Sequence, residues 1–418
     1  MSRNPLSAMF HGPERPPEEA GFFWRGGPFE VADRTWHTSL GSGVTAFETS
    51  QGLVLIDTGT EGLAPKMASG LREFTQAPVH TAVYTHGHLD HAYGLPAFLL
   101  PGQSAPRVIA HSALPARSAR YSRTSGYNEA INARQVSGDV TKRRLRFTPP
   151  PIPPDTLYDD STSIEVGELT FELRHARGET DDHTWVWNPE HRVLCPGDLV
   201  IWAVPNAGNP QKVQRYAWEW SDALRAMAAL NPRTLCPGHG APLVDEPETI
   251  QRLLLETADY LDSIVDQTLA ALNDGAPPHT DIVERVTLPS SDSPWLRPIY
   301  DEAEFIVRNV IRYYGGWYSG RPSELKPAPR REVAAVVSEL AGGVDILLAR
   351  AALAVEAGDL RLACHLADWA VESEPTDERV RTGAAAVYEA RAEAEESLMA
   401  INIYRSAAHY ARAGRPFR

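Results

Sequence analysis

Short apolar runs alternate with amphipathic stretches along most of the chain. Runs rich in β-branched and aromatic residues are typical of strands, and they occur at residues 44–47, 107–110, 169–173 and 184–187. The longer stretch from Ile250 to Leu272 has apolar residues at helical spacing and ends before the breaker-rich residues 273–278. This alternation of strands and helices predicts a layered α/β sandwich.

The tail from residue 329 to residue 413 follows a helical pattern interrupted by breakers. Helix pairs of about 34 residues are similar to tetratricopeptide units. Each pair buries little apolar surface alone, so stacking on a neighbour or a second subunit would stabilise it. We therefore expect a homodimer; the alternative is a monomer whose tail folds back on the first domain. Two apolar faces are predicted: Leu347, Leu348, Ala351, Ala352 and Val355; and Leu360, Ala363, Leu366, Ala367 and Ala370.

These patterns divide the chain into four predicted segments. Residues 1–27 start with a polar stretch rich in Pro and Glu, which predicts a flexible N-terminal arm. Residues 28–272 form the α/β domain, 273–328 a connecting helical and Pro-rich segment, and 329–418 the α-helical domain. The proline run at 149–154 cannot continue a helix or a central strand, so it predicts an extended connection.

Composition narrows the classes of function. The 418 residues include 40 Lys and Arg and 54 Asp and Glu, and the net charge of −14 argues against a nucleic-acid partner because phosphates need cationic contacts. No apolar run reaches the roughly 18 residues of a membrane span, and the N-terminus lacks the apolar core of a signal peptide. We therefore expect a cytoplasmic protein with no membrane partner. Three scattered cysteines are too few for a disulfide framework.

Three histidines and one aspartate lie within six positions after the apolar run 79–85, as His86, His88, Asp90 and His91. Imidazole and carboxylate groups suit Zn²⁺, so this density predicts a metal site rather than a polar surface loop. His86 and His88, two residues apart on a loop, can hold one ion. Asp90 and His91 follow where the backbone bends and can hold a second ion. Two ions that share a bridging hydroxide are the usual arrangement for metal-assisted hydrolysis.

The pattern His-x-His-x-Asp-His resembles the metal signature of the metallo-β-lactamase superfamily. Residues 53–59 are similar to the early strand of that family, where Asp57 would orient the metal loop without being a ligand. Residues 194–198 and 235–240 are similar to the strand ends that carry its last ligands, here Asp198 between the two ions and His239. The resemblance implies an αββα sandwich followed by the helical domain, and two Zn²⁺ per chain.

One position departs from the commonest pattern of the superfamily. Where most members have Gly-His-Thr with a zinc-binding histidine, this chain has Gly178-Glu179-Thr180. Glu179 can replace the histidine as an oxygen donor, at the cost of added negative charge and a weaker Lewis acid; the alternative ligand is His183. Glu179 at this position resembles the alkylsulfatase branch. The Tyr- and Gly-rich residues 313–323 and the helical tail, similar to the alkylsulfatase dimerisation domain, point to the same branch.

The resemblance implies a hydrolytic mechanism. The two ions would lower the pKa of a bridging water and neutralise charge on a small anionic ester, with Asp90 catalytic as well as a ligand. His183 would be the general acid or, equally, a structural histidine in the loop. The implied substrate is a sulfate ester of an aliphatic alcohol. The implied ligands of the first ion are His86, His88 and Glu179. Those of the second ion are Asp90, His91 and His239, and Asp198 lies between the two ions.

Recognition of the sulfate matches the family less closely than the metal site does. Alkylsulfatases present an Asn from a Gly-Asn-Ala-Met-Ser-Arg-Arg-like segment and an Arg from a Leu-Arg-Gly-like segment, and these regions lie here at residues 126–134 and 209–212. Arg134 matches, and Asn132 or Asn128 matches loosely. The second Arg is missing unless Lys212 replaces it, and lysine lacks the planar two-point grip on sulfate.

The pocket for the alcohol is predicted from aromatic residues. Tyr127 and Tyr314 would line an apolar pocket, or complete a core, as could Tyr121, Trp202, Trp218 and Trp317. No segment after the helical tail resembles the lipid-carrier-like domain that alkylsulfatases use for the alkyl chain, which makes a surfactant-type substrate less expected.

Three hypotheses about function follow. The first is hydrolysis of an alkyl sulfate ester. The second is hydrolysis of a lactone, thioester, phosphoester or β-lactam-type amide by the same dinuclear site, because one fold supports many reactions. The third is a non-enzymatic helical-repeat interaction protein, against which the full set of seven donors argues.

Overall fold

The structure, a computed structural model, describes residues 22, 24–138, 146–276 and 281–415. These residues form two compact units. The first unit comprises the residues up to 124 together with 147–274 and 283–315. The second comprises 125–146, 275–282 and the residues from 316 onward.

Two mixed β-sheets build the first unit. Among the described residues, the first sheet has seven strands side by side in chain order: β1 (Gly26–Ala32), β2 (Thr35–Ser39), β3 (Gly43–Thr49), β4 (Gly52–Ile56), β5 (Val79–Val83), β6 (Arg107–His111) and β7 (Thr156–Tyr158). Strands β1 to β4 pair antiparallel, and β4 to β7 pair in parallel.

In the part of the chain that the structure describes, the second sheet has six strands: β8 (Ser161–Val166), β9 (Leu169–His175), β10 (Thr184–Asn188), β11 (Val193–Gly197), β12 (Thr234–Pro237) and β13 (Leu243–Val244). Their order across the sheet is β13-β12-β11-β10-β9-β8. Strands β11 and β12 pair in parallel, with Leu194 opposite Leu235, so their carboxyl ends reach the same edge of the sheet.

The described residues also form helices in both units, and α5 and α10 to α15 belong to the second. In chain order the helices are α1 (Ala64–Leu71), α2 (Leu89–Ala92), α3 (Leu95–Phe98), α4 (Leu114–Arg123), α5 (Ser125–Ser137), α6 (Ala217–Ala229), α7 (Pro247–Asn273), α8 (Asp281–Arg285), α9 (Ala303–Tyr314), α10 (Pro322–Leu325), α11 (Arg330–Ala341), α12 (Val344–Glu356), α13 (Leu360–Ser373), α14 (Glu378–Glu393) and α15 (Leu398–Arg412).

Strand β4 shows how the sandwich is packed. Its Leu55 lies in an apolar core with Met67 of α1, whereas its Val54 lies in a second core with Phe171 of the other sheet. Because successive strand residues point to opposite faces, the first sheet packs on helices with one face and on the second sheet with the other. Helix α7 packs on α6 and contacts β12 beyond the second sheet. The predicted layered α/β sandwich followed by a helical region is confirmed.

The predicted elements lie where the patterns placed them. Strands β3, β6, β9 and β10 contain the four predicted strand segments, and α7 extends the predicted helix to Pro247–Asn273. Most of the predicted N-terminal arm lies outside the described residues, as does part of the predicted break at 273–278. None of the described helices is both long and apolar enough to cross a membrane.

The helices of the second unit bury small apolar stripes. Leu347, Ala351 and Ala354 of α12 are buried at helical spacing, and Ala363, Ala367 and Ala370 of α13 are almost fully buried. The prediction for Ala352 was wrong: this residue is exposed, because the buried stripe runs through Ala354 instead. Helix α5 packs on α15, where Asn402 Nδ2 donates a hydrogen bond of 2.8 Å to the carbonyl of Gln135.

Candidate metal centre

The predicted ligands of the first unit come from four strand ends. Strand β5 leads into the His86 to His91 segment, Glu179 lies between β9 and β10, and β11 and β12 lead into Asp198 and His239. Gly238 is needed for the last two segments to meet, because a Cβ at that position would lie 2.1 Å from Oδ1 of Asp198.

One group of donors surrounds His86 and His88. Nε2 of His86 lies 2.8 Å from Nδ1 of His88 and 3.7 Å from Oδ2 of Asp198. Nδ1 of His88 lies 3.8 Å from Oε2 of Glu179. One donor atom from each of these four residues lies within 4.8 Å of the others. Glu179, which departs from the superfamily pattern, therefore contributes its carboxylate to this group.

A second group is formed by Asp90, His91 and His239. Oδ2 of Asp90 lies 3.7 Å from Nε2 of His91 and 3.5 Å from Nε2 of His239. Asp198 reaches this group as well, with Oδ1 at 3.2 Å from Nε2 of His91 and Oδ2 at 3.4 Å from Nε2 of His239. The structure thus brings the seven predicted ligands together, with Asp198 between the two groups.

Unpartnered polar atoms show that these residues fit metal ions. Nε2 of His91 and Oδ1 of Asp198 are buried, and apart from their ion pair at 3.2 Å they have no hydrogen-bond partner among the described residues. A buried polar atom without a partner is costly, whereas a divalent cation would coordinate both. Imidazole nitrogens and carboxylate oxygens are the donor set that suits Zn²⁺.

The electrostatics of the first group favour neutral imidazoles. Burial lowers the pKa of His86 well below its usual value, and the neighbouring His91 adds to this shift. Burial and then Arg117 do the same to the pKa of His88. Because metal ligands must be deprotonated, both side chains are in the state that binds a cation.

The carboxylates of the centre shift in opposite directions. Burial would raise the pKa of Asp198, but His91 and His239 hold it well below its usual value. Burial and then Asp198 raise the pKa of Glu179 to about 8, although Arg215 opposes the shift. Negative charge is therefore crowded at Glu179, because a carboxylate lies where most of the superfamily has an imidazole.

Glu179 is held from behind by two side chains. Asn206 Nδ2 donates a hydrogen bond to Oε1 of Glu179, and Nη2 of Arg215 lies 3.4 Å from the same oxygen. This leaves Oε2 directed at His88. Both supporting residues are buried. They fix the orientation of the carboxylate, as outer partners of metal ligands do.

Comparisons with known proteins agree with this geometry. The family model of the metallo-beta-lactamase superfamily matches residues 40–239, and the model of alkyl sulfatase dimerisation matches residues 279–414. The chain combines a metallo-beta-lactamase domain with an alkyl sulfatase dimerisation domain. The predicted family is thereby confirmed.

Similar proteins of named function extend the comparison. The chain is 28% identical to a linear primary-alkylsulfatase of Pseudomonas sp. over 80% of its own length and 67% of the relative. It is 27% identical to the alkyl/aryl-sulfatase BDS1 of Saccharomyces cerevisiae over 81% of its own length and 56% of the relative. The solved structure of the inverting sec-alkylsulfatase Pisa1 from Pseudomonas sp. superposes with a TM-score of 0.82 at 23% identity, covering 93% of this chain and 66% of Pisa1.

The similarity establishes homology and fold over part of the relatives' length. The chain is homologous to Pseudomonas alkylsulfatases and has their fold. It spans only about half to two thirds of the length of the relatives it matches.

Within the metallo-beta-lactamase domain, His183 lies behind the ligands. Its side chain is fully buried, its ring stacks on that of His86 at 4.8 Å, and its Nε2 accepts a hydrogen bond of 3.1 Å from the backbone N–H of Asp198. Burial lowers the pKa of His183 to about 3. This position suits the structural role that the sequence left open.

The predicted substrate residues are dispersed. Lys212 lies in the metallo-beta-lactamase domain with Nζ 5.7 Å from the centre of the Phe147 ring. Tyr314 is 43% exposed and contacts the ring of Tyr313 edge to face, and no hydrogen bond or ring contact among the described residues joins it to the ligand groups. The three remaining residues, Arg134, Asn132 and Tyr127, lie on α5 in the second unit.

Sequence reasoning missed several residues of the centre. Arg215, three positions after Lys212, places a buried guanidinium next to Glu179. Phe22 stacks on the ring of His239 at 4.7 Å and on Tyr300 at 4.8 Å. Arg117, fully buried, contacts His88. No motif marks these positions, because each is brought to the ligands from a distant part of the chain.

Proposed function

We propose that the chain is a dinuclear zinc hydrolase that acts on alkyl sulfate esters. The observation that carries the proposal is the convergence of seven donors in two groups that share Asp198. Homology to alkylsulfatases supports the choice of ester, since relatives that are similar over about 80% of this chain carry that name.

The proposed ligands form two sets, one for each ion. His86, His88 and Glu179 would hold one ion, and Asp90, His91 and His239 the other, with Asp198 between them. When bound, the two ions would lower the pKa of a water molecule and neutralise the charge of an anionic ester. The Asp90 carboxylate is one-third exposed, so it faces the side from which water and substrate enter.

Cationic side chains beside Glu179 would bind the sulfate group. Charges on Arg215, Glu179 and Asp90 act on the Lys212 ammonium, so it lies within electrostatic range of proposed ligands of both ions. Arg215 is buried next to Glu179 and adds a second positive charge. Since Lys and Arg are the usual partners of sulfate-like anions, this pair favours an anionic ester over a neutral lactone.

Aromatic residues would hold the alkyl group. Phe22 and Tyr300 form a stacked pair that ends on His239, a proposed ligand. Burial raises the pKa of Tyr300 far above its usual range, so its hydroxyl stays neutral. Two aromatic faces next to the metal centre offer an apolar wall to an alcohol. The residues Arg134, Asn132 and Tyr127 of α5 stay predicted substrate contacts, as does Tyr314.

A homodimer formed by the second unit completes the proposal. Val333, Val336 and Leu340 of α11 are 42%, 55% and 83% exposed, and Ile346 and Leu353 of α12 are each about half exposed. Exposed apolar residues at helical spacing on two consecutive helices are typical of a protein interface. The match to the alkyl sulfatase dimerisation model favours a second copy of this chain as the partner.

A turnover screen tests the proposed function. The zinc-loaded chain is assayed against a linear alkyl sulfate, a lactone, a thioester, a phosphodiester and a β-lactam, with release of each product measured directly. We expect turnover of the alkyl sulfate, lost together with full zinc content in Asp90→Ala. The matched control is Asp33→Ala, an exposed aspartate of the β1–β2 turn, which should keep both.

Other outcomes of the screen separate the alternatives. Turnover of the lactone, thioester, phosphodiester or β-lactam without turnover of any alkyl sulfate would establish a different hydrolase on the same centre. A purified chain that binds fewer than one zinc ion would overturn the metallohydrolase and favour an interaction protein. Unchanged alkyl sulfate turnover in Asp90→Ala would contradict the assignment of the site.

A further inference from the structure

Arg117 of α4 is fully buried and lies between the two loops that carry the first group of donors. One of its amino groups, Nη2, donates a hydrogen bond of 2.5 Å to the hydroxyl oxygen of Tyr121 and lies 3.1 Å from Nε2 of His88. Nε2 of His88 lies 3.2 Å from the same Tyr121 oxygen. The hydroxyl oxygen is thus within reach of a guanidinium and an imidazole at once.

The position of His88 decides which of its nitrogens carries the proton. Nδ1 faces His86 and Glu179, so it must be free to bind a cation, and the proton of the neutral ring resides on Nε2. Two N–H groups cannot hydrogen-bond to each other, so Arg117 and His88 share the oxygen of Tyr121 as their acceptor. The arrangement fixes both the tautomer and the tilt of the His88 ring.

The other side of the guanidinium holds the loop of Glu179. Nη1 of Arg117 pairs with Oδ1 of Asp181 at 2.6 Å, and Nε lies 3.5 Å from Oδ1 of Asp182. Asp182 in turn accepts the backbone N–H of Gly87, which lies between His86 and His88, at 2.9 Å. Through these contacts, one side chain connects the loop of His86 and His88 with the loop of Glu179.

We propose that Arg117 is the positioning residue of the first metal group. It holds His88 through Tyr121 and holds the Glu179 loop through Asp181 and Asp182. No hydrogen bond or ion pair among the described residues joins it to Asp90, His91 or His239, the ligands of the second group. The inference rests on the proposed function, since it concerns the same centre, and it predicts that Arg117 governs the binding of one ion only.

Zinc titration of three variants in the full chain tests the inference. The step that belongs to the first group is identified as the one lost in His88→Gln. Tyr121→Phe removes the shared acceptor, and Arg117→Met removes the guanidinium. We expect Tyr121→Phe and Arg117→Met each to weaken the first-group step by about 10- to 100-fold and to leave the other step unchanged, as loss of an outer partner of a ligand does.

A matched control and a rescue separate positioning from simple destabilisation. Arg120→Met loses a partly exposed arginine that pairs with Asp181 at 3.1 Å, and no hydrogen bond among the described residues joins its side chain to Tyr121 or His88, so both zinc steps should be unchanged. Arg117→Lys keeps the charge and should recover part of the lost affinity. The absorption spectrum of the Co²⁺-loaded Tyr121→Phe variant should change in the first-group bands, because the His88 ring is free to tilt.

The outcomes distinguish this inference from the proposed function. A wild-type chain that binds two zinc ions, with equal first-group affinity and spectrum in Tyr121→Phe, overturns the role of Arg117 and leaves the metal centre in place. A wild-type chain that binds fewer than one zinc ion overturns both. Tyr121→Phe keeps every salt bridge of Arg117, so it decides the test even if Arg117→Met does not fold.

Discussion

Oδ2 of Asp57 lies 2.8 Å from Nδ1 of His91 at the end of β4. The same carboxylate accepts the backbone N–H of Thr85 at 2.7 Å and the Thr85 hydroxyl at 2.8 Å. Both residues are buried, and the pairing directs Nε2 of His91 toward Asp90, Asp198 and His239. Asp57 therefore orients a ligand of the second group of donors, as we propose that Arg117 does in the first group.

Replacing Asp57 by Asn should weaken zinc binding by the second group. Asp57 has a φ of 60°, in the left-handed region that Asn tolerates, so the change removes the charge and leaves the backbone undisturbed. We expect the zinc step assigned to His91 and His239 to weaken by about 10- to 100-fold. Isothermal titration with zinc measures both steps, and equal affinities in Asp57→Asn and wild type would refute this role.

Glu179 and His183 can be separated by their effects on metal content. Glu179→Gln removes a donor of the first group, so we expect the chain to lose one of two zinc ions. His183→Gln removes a buried ring that accepts the Asp198 N–H, so we expect two zinc ions and a lower melting temperature. Metal analysis and thermal unfolding measure the two effects, with the exposed Glu165→Gln of β8 as a control. Loss of an ion in His183→Gln but not in Glu179→Gln would exchange their roles.

Lys212 predicts a pH dependence of substrate binding. Burial, aided by the charge of Arg215 and opposed by Glu179, lowers the pKa of its ammonium to about 7. The side chain is therefore charged below that pH and becomes neutral above it, so KM for an alkyl sulfate should rise as the pH increases through 7. Since charge-assisted hydrogen bonds contribute about 1.5–3 kcal/mol, the rise should be about tenfold or more.

The control for Lys212 is a residue that stays charged. Lys212→Arg should keep KM low and nearly constant between about pH 6 and pH 9, because the pKa of arginine lies far above that range. Lys212→Gln should show a high KM at every pH. A rise of KM in Lys212→Arg equal to that of wild type would assign the pH dependence to another group.

Charged substitutions in the exposed apolar stripe of α11 should weaken the proposed dimer. Leu340 is 83% exposed, and Leu340→Glu with Val336→Glu would place two carboxylates in the proposed interface. We expect the dimer dissociation constant to rise by about tenfold or more, because an unpaired charge buried at an interface is costly. Light scattering coupled to size exclusion measures the mass. Thr382→Glu on α14, exposed and outside the stripe, should leave the dimer intact. A wild-type monomer would contradict the homodimer itself.

Local patterns were sufficient for most of the fold. The short β-prone runs of β3, β6, β9 and β10 and the helical spacing of α7 could be read from the sequence, because buried strands favour such runs and burial of one helix face imposes a repeat on the residues themselves. The error at Ala352 arose because alanines on both sides of a short helix give the same apolar signal, and only packing decides which of them is buried.

The ligands of the metal centre could be predicted from the sequence, whereas the residues that support them could not. His86, His88, Asp90 and His91 are consecutive enough for the sequence to show a metal site, and the Cys-Pro-Gly segments before Asp198 and His239 extended the set by resemblance. What the sequence could not show is the support of these ligands. Arg117, Asn206, Arg215 and Phe22 have no periodicity and no motif, and each contacts a ligand far away in the chain.

The sequence by itself determined the sandwich, the helical tail and the types of donor, because those depend on residue type and spacing. The tertiary structure decided that Glu179 faces His88 and that His183 lies behind Asp198, because both depend on where two loops meet. It also decided which cations balance Glu179, with Arg215 beside its carboxylate and Lys212 near by. Such contacts join residues distant in the chain, and only the packing of the two sheets brings those residues within bonding distance.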